Sequence, residues 1–196
     1  MRSSTERKFV DGPAGRIECA VDRPEGTARG AVLVAHPHPL YGGTLDNKVV
    51  QTLARSFVEL GYEAWRPNFR GVGGSEGRHD EGKGEVEDLF AVYKELKAPV
   101  VLAGFSFGAA MQVRLSQKVQ FERMVLVGLA APNYNLPPVR ADTLVIHGEL
   151  DETIPLSAVL DWARPQELPV VVVPGADHFF HRKLQPLRTI VESNCK

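Results

Sequence analysis

The sequence predicts an α/β fold, a mostly parallel central sheet flanked by helices, in a single domain spanning residues 1–196. Three observations carry that prediction. Continuously apolar runs such as "GAVLVAHP" (Gly30 to Pro37) and "PVVLAGF" (Pro99 to Phe105) suit strands covered on both faces. Segments with an apolar stripe at helical spacing follow several of these runs, and strands alternating with such helices imply βαβ crossovers. No repeat, low-complexity stretch or long linker divides the chain, and 196 residues suffice for one proper core.

The elements follow in order. "RIECAVDRP" (Arg16 to Pro24) alternates apolar and polar residues, as a half-exposed strand does. After the Gly30 strand, Val49, Val50, Leu53, Phe57 and Leu60 lie on one stripe of a helix from about Asn47, stopped by Gly61. "YEAWRP" reads as the next strand. A helix over Glu85 to Leu96 turns Val86, Leu89, Phe90 and Tyr93 inward. "PVVLAGF" then leads into a helix through "FGAAMQVRLSQ". Strands "RMVLVGL" and "DTLVIHG", helix "LSAVLDWA", strand "VVVVPG" and a closing helix from about His181 to Glu192 complete the chain.

Composition narrows the function. The chain is 43% hydrophobic and 24% charged, with 23 basic against 24 acidic residues and a net charge of -1. That balance points to neither a nucleic-acid nor a membrane partner. The segment "MRSSTERKFVDG" lacks the apolar core of a signal peptide, and no apolar run approaches the ~18 residues of a membrane span. Cys19 and Cys195 make no disulfide framework, so the expected compartment is the reducing cytoplasm. Oligomeric state stays open, a homodimer included.

In an open parallel sheet, reactive groups collect where strands end at their carboxyl edge. "GFSFG" places Ser106 there, between a buried strand and a helix. G-x-S-x-G in that context is the nucleophile elbow, a turn sharp enough to present the serine Oγ to the cleft. Gly104 and Gly108 keep neighbouring backbone close, and Ala109 and Ala110 extend that demand. The competing reading makes Ser106 an ordinary helix N-cap.

A serine hydroxyl needs a base to take its proton and a carboxylate to orient that base. Asp151, after "TLVIHG", and His178, after "VVVVPG", supply them in the order serine, acid, histidine. Glu149 is the rival acid and His181 the rival base, while Asp177 reads as a turn residue. His36 and His38 form H-x-H at a strand end, but no third ligand follows at suitable spacing, so no metal is expected. His36 is read instead as making structural hydrogen bonds beneath its loop. "GRHDEGKG" nearly spells a phosphate-binding loop but has Gly84 where serine or threonine is needed, and no nucleotide or other cofactor is expected. Arg70, Glu76, Arg78 and the charges after them read as a solvated loop before the Glu85 helix.

"GFSFG", "HGELDETIP", "PGADHFF" and "RPNFRGVGGSEG" together resemble the α/β-hydrolase superfamily. "HPHPLYGGTLDNK" is similar to a subgroup of small, lidless hydrolases near the dienelactone-hydrolase and carboxylesterase branch. The resemblance spans about Ala31 to Phe180. It implies an α/β-hydrolase fold of about eight strands, the second antiparallel, with no cap domain and a Ser106–Asp151–His178 triad. Dienelactone hydrolases use cysteine as nucleophile, so their substrate is not carried over.

Acyl transfer also needs two N–H donors aimed at the developing oxyanion. One is the amide of Phe107, the residue after the nucleophile. Pro37 and Pro39 have no N–H. The resemblance places the second donor at His38, with Leu40 as fallback. Only Ala130 to Ala141 separate the strands between which many relatives insert a helical lid, which is loop length. The expectation is therefore an open, shallow site bordered by Leu40, Tyr41, Phe105, Phe107, Tyr134 and Phe179, taking small ester substrates. A non-catalytic binding protein on the same fold is the alternative, as is a peptidase or amidase using the same triad.

Overall fold

A computed structural model describes residues 5–196. Its strands are β1 (Thr5–Gly12), β2 (Gly15–Asp22), β3 (Gly30–Ala35), β4 (Tyr62–Pro67), β5 (Val100–Phe105), β6 (Arg123–Val127), β7 (Leu144–Gly148) and β8 (Val170–Val173). They form one eight-stranded sheet in the order β1-β2-β4-β3-β5-β6-β7-β8. Only β2 runs against its neighbours; every pairing from β4 to β8 is parallel. The helices are α1 (Lys48–Glu59), α2 (Lys83–Lys94), α3 (Phe107–Leu115), α4 (Leu156–Ala163) and α5 (Leu184–Asn194). No described helix is long and apolar enough to cross a membrane.

The two-residue period of the buried strands divides the core. Leu33, Ala35 and Leu102 face α2, α3 and α4, where they meet Val86, Leu89, Met111 and Val159. Val32, Val34, Val101 and Phe105 face α1 and α5, against Val50, Leu53, Phe57 and Leu187. Both faces are therefore apolar, which is why the central strands read as unbroken hydrophobic runs.

β1 has no counterpart in the sequence reading. Only Val10 of its eight residues is buried, so the strand shows no apolar alternation. It pairs with β2 through a turn between Gly12 and Gly15, and Arg23–Glu6 and Arg7–Glu18 ion pairs run along this edge. A charged edge strand resists pairing with another chain. The final helix also starts later than expected, at Leu184, because Phe180 (φ 55°) and Arg182 (φ 59°) are left-handed and cannot continue a helix.

The segment read as solvated is partly internal. Arg70 donates to both oxygens of Asp88 at 2.7 Å and to the Gly84 carbonyl at 2.9 Å. A Cβ on Gly84 would lie 1.8 Å from that guanidinium, which explains the glycine of the false phosphate loop. Asp88 and Glu85 are buried, whereas Glu76 and Arg78 are exposed.

β3 pairs with β4 on one side and β5 on the other, so the strand order reverses at β3. The loops leaving β3 and β5 diverge there and leave a crevice at the carboxyl edge. His38 follows β3, and Ser106 follows β5.

Candidate active site

Ser106 occupies the turn between β5 and α3 with φ 56° and ψ -114°, a conformation that ordinary residues avoid. Its amide donates to the Val127 carbonyl at 2.9 Å, and its carbonyl accepts from Ala110. The glycines permit the turn. A Cβ on Gly104 would sit 2.6 Å from the Ala109 nitrogen, and one on Gly108 only 2.3 Å from the Ala35 carbonyl oxygen. The serine side chain makes no capping bond to its helix, contrary to the N-cap reading.

The Ser106 Oγ lies 3.1 Å from Nε2 of His178, and His178 Nδ1 lies 2.6 Å from Asp151 Oδ2. All three residues are buried to within a few per cent. The other Asp151 oxygen accepts the amides of Thr153 at 2.9 Å and Ile154 at 2.7 Å. Those bonds fix the carboxylate, and its contact with Nδ1 assigns the proton there and leaves Nε2 as an acceptor for the serine proton.

Close backbone packing brings the three loops together. A Cβ on Gly148 would meet the Ala176 carbonyl at 2.5 Å, so the β7 and β8 loops are pressed against each other. Gly128 (φ 54°) lets the loop after β6 pass the His178 imidazole. Phe105 is fully buried beneath the imidazole, ring centroids 4.9 Å apart. It does not border an open site, as the sequence reading had it. Strand alternation directs its ring into the core under α1 and α5.

The rivals are engaged elsewhere. Glu149 accepts the Gly175 amide at 2.8 Å. His181, 73% exposed, pairs with Asp177 at 2.6 Å.

His147, which sequence reasoning missed, lies directly under the acid. Its Nε2 donates to the Ile154 carbonyl at 2.8 Å and sits 3.4 Å from Asp151 Oδ2. Burial lowers its pKa against the opposing pull of that carbonyl and of Asp151, so the ring is held neutral. Only its position on a buried strand, two residues before Glu149, could have pointed to it.

His36 is fully buried, and both of its ring nitrogens are taken. Nδ1 donates to the Pro37 carbonyl at 2.6 Å, and Nε2 accepts the Phe69 amide at 2.9 Å. Desolvation pushes its pKa down to about 4. With neither nitrogen free, it cannot join His38 in binding a metal.

His38 opens a short 3-10 turn (Pro39–Tyr41), and its Nδ1 accepts the Leu40 amide at 3.2 Å. Leu40, the fallback donor, is thereby used. Among the described residues neither the His38 nor the Phe107 amide has a hydrogen-bond acceptor. Burial, then the neighbouring His79, lowers the His38 pKa, with Glu85 pulling the other way.

The rim is aromatic. Leu40, Tyr41 and Phe179 are exposed, and Tyr134 stands edge-on to the buried Phe107 with centroids 5.5 Å apart. Beside Phe179 a cavity of about 210 Å³ has a floor of Val49, Phe180 and Leu184. Between β6 and β7 the one helical element among the described residues is a 3-10 turn (Ala131–Asn133), too short to form a lid.

A sheet with one reversed strand and a strained serine turn at the strand-order switch defines an α/β-hydrolase fold. No family model matches the chain. An uncharacterized protein of Rickettsia prowazekii (strain Madrid E) is 32% identical over 198 residues, covering 90% of this chain and 83% of that protein. An α/β serine hydrolase homologue from Coxiella burnetii is 36% identical, with a TM-score of 0.89 and coverage of 100% of this chain and 99% of that one. A member of the α/β serine hydrolases without lid from Xanthomonas campestris is also 36% identical, at a TM-score of 0.89, covering 99% and 94% of the two chains. The chain belongs to the α/β-hydrolase superfamily, among its lidless members.

Proposed function

We propose that the chain is a serine hydrolase that cleaves small, accessible carboxylic esters or thioesters through an acyl-enzyme. The continuous path from Ser106 Oγ to His178 Nε2 at 3.1 Å, and from Nδ1 to Asp151 at 2.6 Å, carries this reading. Ser106 Oγ attacks the carbonyl carbon as its proton passes to Nε2, giving a tetrahedral oxyanion and an imidazolium. The N–H groups of Phe107 and His38 donate to that oxyanion. Collapse breaks the bond to the leaving group, which takes the proton from Nε2. Water then attacks the acyl carbon, again giving its proton to Nε2, and the acid departs as Ser106 recovers the proton. Asp151 stays ionised throughout and holds the imidazole in line.

The lidless rim and the exposed Leu40, Tyr41 and Phe179 support small or freely accessible substrates over long lipid chains. A fluorophosphonate probe tests the chemistry. Wild type is expected to be modified at Ser106, read by mass spectrometry, and S106A is not. A wild type that is folded yet unlabelled would make the chain a binding protein instead.

A further inference from the structure

The segment after β4 carries a group that the reaction described above does not use. Glu85, in the first turn of α2, is fully buried, and its carboxylate accepts the amides of Asp80 and Gly82, each at 2.9 Å. Those bonds fold residues 79–82 back over the start of α2 and bring His79 Nδ1 to 2.8 Å from Glu85 Oε1. The contact is close but too poorly aligned for a hydrogen bond, and Nδ1 has no other partner among the described residues. The His79 side chain is only 14% exposed.

His79 packs against two rings. Its centroid lies 4.9 Å from His38 and 5.8 Å from Phe107, and those two are 4.9 Å from each other. The corners of this triangle are His79 and the two residues proposed above as the oxyanion donors. We infer that His79, seated on the buried Glu85, is a positioning residue that sets the distance between the two oxyanion donors by packing against both of their side chains. The inference rests on the Ser106 reading given above.

The physical reason lies in how differently the two donors are held. Phe107 is the first residue of α3 and moves with that helix. His38 stands in a loop between prolines, and among the described residues its ring makes one hydrogen bond, accepted from the Leu40 amide. Of the three rings against His38, Tyr41 is 87% exposed and gives little restraint, which leaves Phe107 and His79. Beside the direct His38–Phe107 ring contact, His79 adds a second brace between the loop and α3. The loop bearing His79 is itself set on α3, since a Cβ on Gly82 would lie 2.8 Å from Met111 Sδ. Misplacing a donor by about 1 Å can cost up to about a hundredfold in rate.

The test uses H79A, H79N and H79F, with kcat expressed per site titrated by the fluorophosphonate probe, so that loss of folded protein does not count. H79A and H79N, which lack the ring, are expected to lose about 10- to 100-fold in kcat with KM changed less than about threefold. H79F restores a ring and is expected to recover most of kcat. If H79A or H79N turns over like wild type per titrated site, or if only KM rises, the inference fails. It fails equally if H79F is as slow as H79A. A wild type that the probe does not label would sink the Ser106 reading itself, whereas labelled variants at full speed sink only the role of His79.

Discussion

Asp151 presents one oxygen to His178 Nδ1 at 2.6 Å while its other oxygen receives two backbone amides. The carboxylate is thus held by its own turn as well as by the imidazole, which ties the tautomer of His178 to the loop after β7.

Asp151→Asn should keep the fold and remove most of the activity. Its amide can donate to Nδ1, leaving the proton on Nε2, where the base must accept one. The expected loss in kcat is about 10⁴-fold, with the thermal unfolding midpoint little changed. Steady-state kinetics beside a melting curve check this. An active Asn variant would remove Asp151 from its proposed role.

Gly108→Ala tests the turn. Its new Cβ would lie 2.3 Å from the Ala35 carbonyl oxygen and 2.5 Å from that of His36, backbone atoms that cannot swing aside. A destabilisation of about 3 kcal/mol or more is expected in urea unfolding. A wild-type midpoint would show that the β5–α3 junction has slack.

His36 makes stability depend on pH. Its pKa falls from 6.5 to about 4 in the folded protein, so the unfolded chain binds more protons between those values. The contribution is fully present above pH 6.5 and is lost as pH falls toward 4, up to about 3 kcal/mol from this group. His147, shifted in the same direction, adds to the loss. Urea titrations at pH 7 and pH 4.5 measure it, and equal stabilities would contradict the buried, neutral imidazole.

The open rim predicts chain-length selectivity. On a p-nitrophenyl ester series, kcat/KM should be greatest for short acyl chains. A preference for chains beyond decanoyl would refute the shallow site bordered by Leu40, Tyr41 and Phe179.

Much of this architecture was legible in the chain. Buried parallel strands must be apolar on both faces, so β3, β5 and β6 declared themselves, and the glycines around Ser106 marked a turn that tolerates no side chains. β1 was not legible, because an edge strand with one buried side chain carries no pattern. Nor could spacing show that Phe105 points into the core, since its direction depends on where β5 ends and the elbow begins.

By itself, the sequence determined the order of the elements from β2 onward, the carboxyl-edge positions of Ser106, Asp151 and His178, and the glycines the elbow requires; these follow from local periodicity and local sterics. Only the tertiary structure decided that Glu149 and His181 are occupied elsewhere, that His147 lies beneath Asp151, and that His79 reaches from Glu85 to His38 and Phe107. The Glu149–Gly175 bond and the packing of His79 on His38 and Phe107 join segments far apart in the chain. Even the contacts between near neighbours, His181–Asp177, His147–Asp151 and His79–Glu85, depend on loop shapes set by packing against one sheet, which no local periodicity encodes.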